Sequence, residues 1–149
     1  MFEPKEIFVR QDRCMGCHSC EMACAAAHSG SRSLYGAIAE HPRPKARIYV
    51  ESVSPKTPVP FLCRHCEDAP CMEACIAGAI RRTEDGLVIT QSDLCIGCWT
   101  CVTVCPYEAI GRQMEENKAY RCDLCPELAM PACVEACPTR SLVYREKRC

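Results

Sequence analysis

Seventeen cysteines in a chain of 149 residues constrain this sequence more than any other feature in it. Sixteen of them fall into four groups of four, and Cys149 stands apart at the C-terminus. The groups are Cys14, Cys17, Cys20 and Cys24; Cys63, Cys66, Cys71 and Cys75; Cys95, Cys98, Cys101 and Cys105; and Cys122, Cys125, Cys133 and Cys137. With only 3 Phe and 1 Trp, an apolar core in so short a chain is marginal without reinforcement. Disulfides or metal must supply it. Disulfide scaffolds belong to exported chains. The opening MFEPKEIFVRQDR has no apolar stretch of the kind an export signal needs, and no twin arginine. No run approaches the ~18 apolar residues of a membrane span. The expectation is a cytoplasmic chain whose reduced, clustered thiols are metal ligands.

The spacing names the metal. Groups one and three follow C-x2-C-x2-C-x3-C, the run that wraps cubane [4Fe–4S] clusters, and group three adds Pro106. Groups two and four keep the leading C-x2-C and the trailing x3-C but stretch the middle. Four residues separate Cys66 from Cys71, and seven separate Cys125 from Cys133. A cubane needs four thiolates at the corners of a tetrahedron. A short loop supplies three and leaves backbone N–H groups facing the sulfurs, which helps set the potential. The fourth cysteine, one helical turn on, points toward a neighbouring cluster, as in two-cluster ferredoxins. This crossing rule predicts four [4Fe–4S] clusters. They are a Cys14 site (Cys14, Cys17, Cys20, Cys137), a Cys122 site (Cys24, Cys122, Cys125, Cys133), a Cys95 site (Cys75, Cys95, Cys98, Cys101) and a Cys63 site (Cys63, Cys66, Cys71, Cys105).

The intervening sequence fits the same plan. Ile80–Arg82 and Leu87–Thr90 can pair as a hairpin around Glu84, Asp85 and Gly86. After Cys105-Pro106, YEAI reads as a short helix feeding a strand, and after Cys137-Pro138, TRSLVY repeats the pattern. The proline-rich segment 25–62 crosses between modules, with a strand expected at Arg47–Val53. The fold class expected is a small α+β chain of two nested bacterial-ferredoxin-like modules, with short helices and antiparallel hairpins around paired cubanes. The outer module takes 1–62 plus 111–149, and the inner one takes 63–110.

This motif order, with its gap of seven in group four, resembles the four-cluster ferredoxin-like electron-transfer subunits of large redox enzymes. Those enzymes include formate dehydrogenases, membrane hydrogenases, carbon monoxide dehydrogenases, tungsten aldehyde oxidoreductases and the dimethyl-sulfoxide reductase group. The resemblance spans roughly residues 5–145. It implies a non-catalytic subunit that relays electrons to or from a large catalytic subunit, a tungsten- or molybdenum-pterin or nickel–iron enzyme, with a further flavin or iron–sulfur subunit. Some such subunits replace one group-three cysteine with tryptophan and carry a three-iron cluster. Here Cys98 is present and Trp99 follows it, so four full cubanes are expected. Some also carry a C-terminal membrane anchor, absent from this sequence, which argues against direct quinone chemistry.

Formal net charge is −1, which excludes an electrostatic case for nucleic-acid binding. Each oxidised cluster would add about −2, partly offset by the 18 Lys and Arg. His18, His28, His41 and His65 are read as exposed or as hydrogen-bond donors near a cluster. Trp99 and Tyr107 are read as cluster covers, and the Arg43, Lys45, Arg47 run as a solvated face. Cys149 is read as a free terminal thiol. Two other readings stay open. One is a free-standing soluble polyferredoxin carrier, which would present a small charged docking face. The other is a structural zinc module, which two separated C-x2-C knuckles would build without the third and fourth cysteines.

Overall fold

The computed structural model describes residues 4–147, so Cys149 lies outside the described residues. In chain order it runs through β1 (Lys5–Val9), α1 (Ser19–Ala27), α2 (Leu34–Ala39), β2 (Ile48–Ser54), β3 (Thr57–Leu62) and α3 (Pro70–Glu73). Then follow β4 (Ile80–Arg82), β5 (Val88–Thr90), α4 (Thr100–Val104), β6 (Gly111–Gln113), β7 (Lys118–Tyr120), α5 (Ala132–Glu135) and β8 (Leu142–Glu146). The strands form four separate antiparallel ribbons, β1–β8, β2–β3, β4–β5 and β6–β7. No sheet is wide enough to make a layer, so the ribbons act as struts around the cysteine loops.

The β1–β8 ribbon joins the two ends of the chain. Val9 faces Leu142, Ile7 faces Tyr144 and Lys5 faces Glu146. Ile7 and Leu142 are buried under it. Ribbon β2–β3 pairs Ile48 with Leu62 and Val50 with Pro60. Pro58 and Pro60 are tolerated because every strand of a two-stranded ribbon is an edge. The expected hairpin forms as β4–β5, turning through Gly86 at φ +79. The expected strand near Arg47–Val53 is β2. Ribbon β6–β7 closes tightly because Gly111 has no side chain. A Cβ there would sit 2.2 Å from Tyr120 Cζ and 2.3 Å from the Tyr49 hydroxyl.

The helices are short and sit earlier than the sequence suggested. Residues α3, α4 and α5 enclose the third cysteine of their groups (Cys71, Cys101 and Cys133) and stop by the fourth. No helix follows Cys105 or Cys137; a single turn does, closed by Glu108 N–H to Cys105 C=O at 3.3 Å and Arg140 N–H to Cys137 C=O at 3.3 Å. The residue three beyond the fourth cysteine is left-handed in three groups: Gly78 at φ +59, Glu108 at +50 and Arg140 at +53. A left-handed residue cannot continue an α-helix. Helix α1 is the exception, because its alanine-rich run SCEMACAAA favours propagation past Cys24.

Buried side chains gather in two cores. One holds Ile7, Ile48, Val50, Leu62, Leu124 and Leu142 with Cys20, Cys24, Cys122 and Cys133. The other holds Ala69, Ile80, Val88, Ile110 and Ala119 with Cys71 and Cys101. Cysteine sulfur is part of each core, so what the thiols bind decides whether the cores close.

Candidate metal centres

Each cysteine group begins with the same backbone device. The residue before the second cysteine is left-handed in all four: Gly16 at φ +70, His65 at +46, Gly97 at +68 and Leu124 at +60. In groups one and three His18 (+58) and Trp99 (+62) are left-handed as well, immediately after the second cysteine. Alternating right- and left-handed residues turn successive N–H groups into one concavity, an anion-binding nest. Only glycine adopts this backbone freely, and each of the other residues costs about 1–2 kcal/mol. His65 and Leu124 accept that cost where the other two loops have glycine, and His18 and Trp99 accept it just after the second cysteine, which ties the strain to what the loops enclose.

Three of the predicted ligand sets line cavities of their own. Cys14, Cys17, Cys20 and Cys137 line one with Met15, His18 and Pro60. Cys63, Cys66, Cys71 and Cys105 line a second, beside Tyr107 and Arg121. Cys75, Cys95, Cys98 and Cys101 line a third, beside Ile96, Thr90 and Trp99. Trp99 and Tyr107 thus stand where covers were expected, backed by Arg112 at 5.7 Å and Arg64 at 4.9 Å from their ring centres. In the fourth set, Cys24, Cys122 and Cys133 share the first core. Cys125 lies beside them, close enough to be pushed up by the Cys24 charge after burial and Asp123 have acted.

Burial pushes the Cys122 and Cys133 thiols up, and repulsion from Cys24 pushes both further. Cys20 is pushed up to about 12, again chiefly by burial. Buried thiols that converge and repel one another need a cation among them to become thiolates. Backbone donors already point at several sulfurs. Arg47 N–H reaches Cys24 Sγ at 3.2 Å, Ala79 reaches Cys75 at 3.3 Å, Ser141 reaches Cys137 at 3.2 Å and Ala119 reaches Cys95 at 3.5 Å. Among the described residues, Arg121 Nη2 and His65 Nε2 are buried donors without a protein acceptor. All-sulfur donor sets, nests and orphaned donors together suit a cationic iron core carrying acceptor sulfides, which is the chemistry of an iron–sulfur cluster. A zinc ion would satisfy the thiolates but would offer those donors no sulfide.

The two cores link the sets. Cys14, Cys20 and Cys137 pack with Cys24, Cys122 and Cys133 in the first core, and Cys63 packs against it. Cys66, Cys71 and Cys105 join Cys75, Cys95 and Cys101 in the second core, so the Cys63 set bridges the two. Among the sixteen grouped cysteines only Cys17 and Cys98 are exposed, one in the Cys14 set and one in the Cys95 set.

Sequence reasoning missed the polar residues that brace these loops. Arg47 was read as part of a solvated run with Arg43 and Lys45. Those two are exposed, but Arg47 is half-buried and ion-pairs with Asp123. Asp123 also accepts from His28 Nε2 at 3.0 Å, while His28 Nδ1–H donates to the Cys24 carbonyl at 2.8 Å. Burial disfavours the His28 charge, but the Asp123 carboxylate outweighs it and raises the imidazole to about 9. Asp123 itself, despite burial, is held down to about 2 by His28 and Arg47. His65 is buried rather than exposed. Val88 N–H donates to its Nδ1 at 3.0 Å, which leaves the proton on Nε2. Burial lowers it to about 4. The sequence signal available for Asp123 and Arg121 was position alone, since they flank Cys122.

The family model of the 4Fe–4S dicluster domain matches residues 56–147. The chain belongs to that family. An iron–sulfur protein of Rhodospirillum rubrum is 44% identical over 152 residues, covering 91% of this chain and 79% of its own length. The electron transport protein HydN of Escherichia coli (strain K12) is 35% identical over 153 residues, covering 92% of this chain and 85% of its own. A chain in the solved active site complex BamBC of benzoyl coenzyme A reductase, with 1,5 dienoyl-CoA, shares the fold. Its TM-score is 0.54 at 24% identity, over 97% of this chain and 77% of that one. This member of the dicluster family is an iron–sulfur electron-transfer protein with the small α+β, ferredoxin-like architecture. No helix among the described residues is long and apolar enough to cross a membrane.

Proposed function

We propose that this chain relays electrons through four [4Fe–4S] clusters between a catalytic redox subunit and a further donor or acceptor. The observation that carries the reading is that four cysteine sets gather in two cores bridged by the Cys63 set, with one exposed cysteine in the Cys14 set and one in the Cys95 set. Cys14, Cys17, Cys20 and Cys137 would hold one terminal cluster, and Cys75, Cys95, Cys98 and Cys101 the other. Cys24, Cys122, Cys125 and Cys133, and then Cys63, Cys66, Cys71 and Cys105, would hold the two between. The clusters supply one-electron redox chemistry. The chain's own residues fix the spacing, exclude water and tune the potentials through N–H···S contacts and nearby charge. We read the two cores as outer and inner modules of the nested arrangement, with ribbon β6–β7 packed on the inner one through Ala119.

Both ends carry exposed apolar side chains. Met15 (64% exposed) adjoins Cys17, and Ile96 (56%) and Ile76 (78%) flank the Cys95 site. Such groups suit burial against a lasting partner more than transient docking. This supports a subunit of a pterin or nickel–iron oxidoreductase over a free carrier. Metal analysis of anaerobically purified native material tests the reading. About sixteen irons per chain without zinc is expected, co-purifying with tungsten, molybdenum or nickel from the catalytic partner. Zinc in place of iron would overturn the reading, and iron from this chain alone would favour the carrier.

A further inference from the structure

Arg121 is 3% exposed, and no carboxylate among the described residues pairs with it. A guanidinium stays charged at any physiological pH, so its burial is costly unless an anion compensates it. Its Nε donates to Thr90 Oγ1 at 2.9 Å and its Nη1 to Cys71 Sγ at 3.0 Å, while Nη2 is buried with no partner. The side chain lines the cavity of Cys63, Cys66, Cys71 and Cys105. Thr90, which it grips, lines the neighbouring cavity of Cys75, Cys95, Cys98 and Cys101. The next residue along the backbone is Cys122. One buried, unneutralised cation therefore stands where three of the four sites meet.

We propose that Arg121 is the charge that sets the potential of the Cys63 site, holding that interior cluster at a higher potential than its neighbours. This rests on the four-cluster reading above. Adding an electron makes a thiolate-ligated cluster more negative, and a fixed cation beside it stabilises that reduced form. The N–H···S contact to Cys71 acts in the same direction. The orphaned Nη2 has a cluster sulfide as its fitting acceptor. Arg121 lines the Cys63 cavity itself and reaches the Cys95 cavity only through Thr90, so its field falls first on the site it touches. A cluster held by Cys63, Cys66, Cys71 and Cys105 beside this charge would be easier to reduce than its neighbours, which would make the site a sink inside the chain. Arg121 is in this sense a positioning residue for charge; it exchanges neither electron nor proton.

The test is a redox titration monitored by electron paramagnetic resonance on the anaerobically purified holoprotein, wild type against Arg121→Met and Arg121→Lys. In the methionine variant the Cys63 centre is expected to move to lower potential, and further than any other centre. At the wild-type midpoint its reduced-to-oxidised ratio should fall about tenfold, equal to 59 mV for a one-electron couple. The lysine variant, which keeps the charge, should stay within about threefold, roughly half that displacement. The centre that moves furthest should be the one whose spectrum changes in Cys71→Ser. A merely structural role would destabilise both Arg121 variants and leave the midpoints in place. Unmoved midpoints in a fully iron-loaded methionine variant would overturn the proposal. If that variant loses iron, Arg121→Gln, neutral but still a donor, takes its place under the same criterion. Wild-type protein short of about sixteen irons would remove the four-cluster reading itself, whereas intact clusters with unmoved midpoints would sink only the role of Arg121.

Discussion

Replacing Cys137 by serine should damage the cluster held by loop one, more than a hundred residues away in sequence, and spare the loop that carries Cys137. Cys137 lines the cavity of Cys14, Cys17 and Cys20, and its Sγ accepts the Ser141 N–H at 3.2 Å. Cys133, four residues earlier, lies instead with Cys122, Cys24 and Cys125. Serine oxygen is a poorer ligand for iron, so the Cys14 site should lose between one corner and the whole cubane. That is about one to four of about sixteen irons. Iron analysis gives the loss, and paramagnetic resonance of the reduced protein shows which signal goes. Double variants sharpen the assignment, because changes at separate sites add and changes at one site do not. Cys137→Ser with Cys14→Ser should lose no more than one cluster, about four irons, while Cys137→Ser with Cys122→Ser should lose up to two, about eight. The opposite pattern, additive with Cys14 and not with Cys122, would refute the crossed ligation.

Gly97 sits at φ +68, and a Cβ there would lie 2.5 Å from Asn117 O and Nδ2 in the β6–β7 turn. Left-handed strain of about 1–2 kcal/mol and overpacking of about 1–3 kcal/mol should make Gly97→Ala release iron from the Cys95 site to a chelator at least tenfold faster; an unchanged rate would contradict the close approach. Removing all iron should abolish the cooperative fold, since cysteines form part of both cores and metal binding is coupled to folding. Circular dichroism and hydrogen exchange of an iron-free chain check this, and retained native protection would count against it. Glu40 accepts the Ser31 N–H at 2.8 Å and the Gly30 N–H at 3.0 Å, contacts that lower its carboxyl below the usual range, the Ser31 backbone first. A lowered folded-state value means the stabilisation is present above the unfolded glutamate range and is lost as pH falls through the folded one. Protection factors at Gly30 and Ser31, taken against the intrinsic exchange rate at each pH, should therefore fall on acidification in wild type but show no such added step in Glu40→Gln.

How far the site was legible depended on whether a feature is local. Cysteine spacing is covalent, and a C-x2-C loop has few ways to turn its sulfurs inward, so the gathering of Cys75 with Cys95, Cys98 and Cys101 could be read by rule. The β4–β5 hairpin was legible for the same reason, with Gly86 between short alternating strands. The helices were misplaced because the left-handed residue three beyond the fourth cysteine shows in sequence only at Gly78. Glu108 and Arg140 adopt that backbone without any compositional sign. Ribbon β6–β7 escaped notice because its strands are three residues each, and the Tyr49 and Tyr120 packing that makes Gly111 necessary is long-range.

By itself the sequence determined the kind of cofactor, because ligand chemistry and spacing are properties of short segments. Only the tertiary structure decided which charges stand among the thiols. Arg47 and Arg121 look like any surface arginine in the one-dimensional record. Burial against Asp123 in one case, and against Cys71 with no carboxylate in the other, turns one into a brace and leaves the other an uncompensated charge beside a site for an anionic cluster. A buried charge takes its energy from the dielectric and the partners around it, and those exist only once the chain has folded.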